Sequence, residues 1–124
     1  MFKLLDRDSH HEKTEADSVL LPRHAHLIFK HSPYCVVSAV AHREISQLST
    51  LATSLPVSIV DVFRQRVLSD EIASRTQIRH ESPQVLLLRD ARVVWHASHG
   101  AITAVAIVKA LEALPGRTTG RDDG

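Results

Sequence analysis

The chain has 124 residues, 44% hydrophobic and 23% charged, which is the composition of one globular domain with enough apolar residues for a core. Its 15 Lys and Arg against 14 Asp and Glu leave a formal net charge of +1, a balance that supports neither nucleic-acid binding nor attachment to an anionic membrane. One cysteine excludes a disulfide within the chain and a zinc site built from several thiolates.

Met1-Phe2-Lys3-Leu4-Leu5 runs at once into Asp6, unlike the apolar region of a signal peptide. No apolar run approaches the roughly 20 residues of a membrane span. A cytoplasmic location is therefore expected, where a lone thiol is kept reduced. Asp6 to Asp17 is polar and mixed in charge, a short helix or simply a mobile stretch, so residues 1–17 read as a polar N-terminal arm. Leu27-Ile28-Phe29 predicts a strand, and His31-Ser32-Pro33-Tyr34 a turn. Val37, Val40, Ala41, Ile45, Leu48, Ala52 and Leu55 recur at helical spacing, with Pro56 as the stop. Val57 to Val62 is rich in β-branched residues and predicts a second strand. Ser69, followed by Asp70 and Glu71, reads as the cap of another helix.

Val85-Leu86-Leu87-Leu88 and Val93-Val94-Trp95, separated by Arg89-Asp90-Ala91-Arg92, predict a β-hairpin. A last helix carries Ile102, Val105, Ala106, Val108, Leu111 and Leu114 and ends before Pro115. Residues 115–124 hold too few apolar groups to offset their ordering entropy and are expected to be a disordered tail, leaving a domain over 18–114. A strand-helix-strand unit requires a parallel pair with a right-handed crossover, and the hairpin adds antiparallel strands. The expected architecture is a thioredoxin-like three-layer α/β/α domain around a mixed sheet of about four strands.

Cys35 falls between the first strand and the first long helix, at the carboxyl end of a strand, where ligands bind in open α/β sheets. Unpaired amides at the helix start favour a thiolate, the nucleophilic form of sulfur. A lone cysteine is most often a small buried hydrophobe, but the adjacent Ser32-Pro33-Tyr34 turn argues for a surface position. Ser38 lies three residues on, where a dithiol oxidoreductase would carry its resolving cysteine. Serine cannot close a disulfide, so exchange at Cys35 must be monothiol, with release by a second molecule. The bland reading of Ser38 is a first-turn hydroxyl bonded to the backbone. His31 is close enough in sequence to favour the thiolate if it is protonated. Ser82-Pro83 precedes the third strand, where a cis-proline turn would face the nucleophile and the Ser82 backbone could pair with an extended substrate. Of the nine histidines, His24 and His26 lie two apart and His96 and His99 three apart, but none forms a His-Glu-x-x-His helix and no second Cys completes a zinc set, so no metal site is expected.

Phe29-Lys30-His31-Ser32, the Cys with Ser three later, His80-Glu81-Ser82-Pro83-Gln84-Val85 and Val94-Trp95-His96-Ala97-Ser98-His99 together resemble the monothiol bacilliredoxin family (YtxJ-like proteins of the bacillithiol system), from about Leu20 to about Leu114. The resemblance implies a thioredoxin-like fold, Cys35 as the attacking sulfur, Ser38 in the resolving position and Pro83 as the cis-proline. It also implies removal of bacillithiol from bacillithiolated proteins, with a low-molecular-weight thiol as co-substrate and no other cofactor. The sequence departs from the family pattern at Val36, usually Pro; at Tyr34, usually Thr; and at Gly100, usually Trp. Tyr34, Ser82 and Pro83 are thus the expected substrate-binding residues, and Lys30, Arg79 and His80 are candidate cations for the carboxylates of bacillithiol. Two alternatives stand beside this reading: a redox sensor or binding module in which Cys35 is modified without turnover, and exchange with a different small thiol.

Overall fold

The computed structural model describes residues 14–51 and 55–115. The expectations for the rest of the N-terminal arm, for Ala52 and for the tail beyond Pro115 lie outside the described residues. A short helix, α1 (Glu15–Leu20), opens the described chain, so the boundary expected after Asp17 falls inside a helix. The Thr14 side chain accepts from the Asp17 amide at 3.0 Å, and the Asp17 carboxylate accepts from the Thr14 amide at 3.1 Å. This reciprocal capping satisfies two of the four donors that a helix start leaves over. Asp17 also pairs with Arg75 at 2.9 Å, tying α1 to a later helix.

Then follow β1 (His26–His31), α2 (Val36–Ser46), β2 (Val57–Asp61), α3 (Arg66–Thr76), β3 (Gln84–Arg89), β4 (Arg92–Ser98) and α4 (Ala104–Glu112). The four strands form one sheet in the order β2-β1-β3-β4. β1 is parallel to β2, with Phe29 opposite Ile59, and antiparallel to β3, with Phe29 opposite Val85. β3 and β4 are the expected hairpin, with an irregularity in register between Leu87 and Leu88. Their two-residue turn, Asp90-Ala91, has positive φ at both positions (54° and 63°), the form whose twist matches that of paired strands.

The central strands are buried on both faces, so alternate residues feed two separate cores. Leu27, Phe29, Val85 and Leu87 pack with Ala41, Ile45 and Leu48 and with Ile107 and Leu111 of α4. Ile28, Leu86 and Leu88 pack with Ala16 and Leu20 of α1 and Leu68 and Ile72 of α3. This is the thioredoxin fold: a mixed four-stranded sheet with helices on both faces. No helix among the described residues is long and apolar enough to cross a membrane.

Three local expectations are corrected. The buried face of α2 is Ser38, Ala41 and Ile45, continued by Leu48 of a 3-10 turn (Gln47–Leu51), while Val37 and Val40 lie exposed. The helix is rotated by one residue from the apolar stripe because Ser38 points inward, where its hydroxyl is fully bonded. Ser69 does not cap α3; the helix starts at Arg66, and Ser69 is buried within it. In α4, Thr103 is the cap, accepting from the Ala106 amide at 3.1 Å; Ile107 faces the core and Val105 faces solvent.

Candidate functional site

β1 and β2 run parallel, so their carboxyl ends lie at the same edge of the molecule. The Val62 amide donates to the His31 carbonyl at 3.1 Å, which holds the two ends together. Cys35 is the N-cap of α2; its carbonyl accepts the first helical bond from Ala39 at 3.0 Å, and its amide donates to Ser32 at 3.2 Å. The thiol is therefore carried on a hydrogen-bonded turn at the amino end of a helix. It is free and half-buried.

Ser38 fixes this turn from inside. Its fully buried hydroxyl accepts from the Ser32 amide at 3.0 Å and pairs with His31 Nδ1 at 2.7 Å. Both readings made of Ser38 meet here: it stands in the resolving position and bonds to the backbone. His31 follows Ser38 rather than the thiol. Its ring lies against Phe29 and His42, with centroids 5.1 and 5.3 Å away. Burial, then the neighbouring His42, pushes its titration below the usual histidine range, with Asp61 opposing. The lowered pKa favours the neutral ring, which works against the condition, a protonated His31, under which it would favour the thiolate.

Cys35 opens into a pocket of about 300 Å³ that Phe63, Arg66, Asp70, His80 and Ser82 also line. The loop after β2 enters it because the Asp61 carboxylate accepts from the Phe63 and Arg64 amides at 2.9 and 3.0 Å. Those bonds, Arg64 first, hold the Asp61 carboxyl below its usual range, while partial burial opposes. Tyr34 is 82% exposed and its ring stands 5.7 Å from Phe63, itself 60% exposed, so the lip of the pocket is aromatic. Val36 opens α2 at 79% exposure.

The Ser82–Pro83 peptide is cis, and the Pro83 carbonyl accepts from His99 at 3.0 Å. Ser82 lines the pocket, and its enclosed hydroxyl has no partner among the described residues. Cys35 and Ser82 are thus brought together across the pocket. Gly100 lies in a 3-10 turn (His99–Ala101), and a Cβ there would meet open space.

Of the three candidate cations, the structure separates Arg79 from the others. Arg79 is exposed and uses its carbonyl to accept from Gln84 Nε2 at 2.9 Å. Lys30 points from β1 to the α3 face and is fully enclosed. Its ammonium donates to the Ser69 carbonyl at 3.0 Å and meets His80 Nδ1 at 3.2 Å. Arg66, Asp70 and Phe63 were not singled out from the sequence. Their placement just after β2, at the same strand end as Cys35, is the signal that could have found them.

A protein-family model described as "Monothiol bacilliredoxin BrxC" matches residues 9–107. Among solved structures, the chain is similar to a protein with a thioredoxin fold, provisionally described as an oxidoreductase, at 28% identity and TM-score 0.71, covering 77% of this chain and 84% of that one. It is also similar in fold to mitochondrial thioredoxin 3 from Saccharomyces cerevisiae (14% identity, TM-score 0.59, 78% and 85% covered). A third similar fold is Fasciola hepatica thioredoxin (12% identity, TM-score 0.55, 72% and 79% covered).

Proposed function

Because the chain belongs to the monothiol bacilliredoxin family and so has a redox role, we propose that it is a thiol–disulfide oxidoreductase that removes bacillithiol from bacillithiolated proteins. Cys35 attacks the bacillithiol sulfur of the mixed disulfide. The protein sulfur leaves with the electron pair, and Cys35 carries the bacillithiol. A second low-molecular-weight thiol or a reductase then attacks that new disulfide and restores Cys35. The reaction needs no bound cofactor and suits the reducing cytoplasm.

One observation carries this reading. The only sulfur of a cysteine in the chain lies at a helix start in an open pocket, and the resolving position holds a buried, fully bonded Ser38. The aromatic lip suits a protein surface, and Arg66 supplies positive charge for a carboxylate-bearing thiol.

The test is reduction of a purified bacillithiolated protein by the wild type and by Cys35→Ser, with mass spectrometry of Cys35. Turnover by the wild type, an added mass of one bacillithiol on Cys35 and no activity in Cys35→Ser are expected. Stoichiometric capture without release would replace the enzyme with a redox sensor. Turnover only with another small thiol would replace bacillithiol as the substrate.

A further inference from the structure

The exchange reaction just described leaves Lys30 without a task. An enclosed ammonium is costly to keep unless it is paired, yet Lys30 forms no ion pair with a carboxylate among the described residues. Its partners are the Ser69 carbonyl and His80 Nδ1. An ammonium has only donors, so Nδ1 of His80 must accept and the ring proton sits on Nε2. The Ser69 hydroxyl, 3.3 Å from the same Nδ1, is a second donor aimed at that atom. His80 lines the pocket that contains Cys35. A buried proton source is therefore wired to a ring whose other nitrogen carries a proton, on a residue that shares its pocket with Cys35.

We propose that Lys30 and His80 form a proton relay for exchange at Cys35, with His80 as the catalytic acid and Lys30 as the group behind it. The proposal rests on the exchange reading. As Cys35 forms its new disulfide and the old S–S bond breaks, the departing sulfur keeps the electron pair as a thiolate. Nε2–H of His80 passes its proton to that thiolate while Lys30 passes one to Nδ1. A neutral thiol, a neutral His80 and a neutral Lys30 result. In the second half the flow reverses: the incoming thiol gives its proton to Nε2, Nδ1 returns one to Lys30, and the new thiolate attacks the disulfide on Cys35. Protons and electrons balance without any other reactant.

The surroundings suit a proton that comes and goes. Burial lowers the Lys30 pKa from its ordinary value, and Asp70 pulls it back. For His80, burial is the largest influence and lowers the pKa; Lys30 and Arg66 act in the same direction, Asp70 and Glu81 against it. Neither group is locked in one protonation state by a tight ion pair.

Leaving-group chemistry separates a relay from mere positioning. A thiolate of low pKa leaves unaided, whereas an alkyl thiolate gains from protonation. Two probe disulfides are used with the full chain near neutral pH: 5,5′-dithiobis(2-nitrobenzoate), whose aromatic thiolate needs no proton, and 2-hydroxyethyl disulfide, whose alkyl thiolate does. The rate of Cys35 adduct formation is read by mass spectrometry. His80→Gln and Lys30→Met should each slow the alkyl probe by about 100-fold, the lower range of general-acid effects, and leave the aromatic probe within about twofold. His80→Gln changes an exposed residue and tests the relay even if Lys30→Met fails to fold. Equal slowing of both probes, or of neither, overturns the relay while leaving the exchange reading standing. If Cys35 of the wild type reacts with neither probe, the exchange reading falls and the relay with it.

Discussion

The two faces of the sheet are fed by the same strands and end differently. On the α2–α4 face, the alternating residues of β1 are Leu27, Phe29 and His31; the series closes in a satisfied hydrogen-bonded clamp with Ser38. On the α1–α3 face, Ile28 is followed by Lys30, and the series ends in an ammonium, a histidine and an open pocket. Phe29, Lys30 and His31 are neighbours in sequence, yet one anchors a core, one carries a buried charge and one braces the turn before Cys35. The comparison shows how the period-2 alternation of a strand keeps stability and chemistry apart over a few ångströms.

The largest expected effect breaks the closed face. Phe29→Ala should cost about 3–5 kcal/mol of unfolding free energy, from lost burial and the cavity left behind, measured by urea denaturation. Next is the clamp. Ser38→Ala strands the Ser32 amide and should cost about 1–3 kcal/mol. It should also slow exchange by loosening the turn that carries Cys35, while Ser38→Thr, which keeps the hydroxyl, restores part of that rate. The opposite face should respond in the opposite sense. Lys30→Met removes an enclosed charge that lacks a carboxylate partner among the described residues, so its stability should equal or exceed that of the wild type, and thermal unfolding at one pH checks it.

A smaller effect sharpens the contrast by pH. The folded-state pKa of His31 lies below its ordinary value of 6.5, chiefly because of burial. The unfolded chain then binds this proton more readily. The stability contributed by the neutral ring is present above the ordinary value and is lost as pH falls through 6.5 toward the folded value. The drop in Tm on acidification should accordingly be shallower in His31→Gln than in the wild type. The smallest effect belongs to the rim. Phe63→Ser, at a residue 60% exposed, should change unfolding free energy by less than about 0.5 kcal/mol.

Much of the fold was legible because its signals are local. Leu27-Ile28-Phe29, the β-branched run after Pro56 and the two apolar runs around Asp90-Ala91 all became strands. Cys35 was placed at a strand-to-helix junction, where it lies. The helix phases were less legible. Val37 and Val40 are as apolar as the residues that face the core, and only the inward hydrogen bonds of Ser38 set the rotation of α2. A short helix is one of the two readings of Asp6 to Asp17, and the Thr14–Asp17 spacing of a reciprocal cap marks where α1 starts.

By itself the sequence determined the order of elements, the parallel and antiparallel pairings that this order requires, and the monothiol character of any exchange. Each of these follows from short-range periodicity or from the plain count of one cysteine. Only the tertiary structure decided that Lys30 and His80, 50 positions apart, share a hydrogen bond beneath the pocket, and that His31 turns to Ser38. The physical reason is that a polar side chain leaves water only where a partner waits. That partner comes from whichever distant element the packing of the sheet brings near.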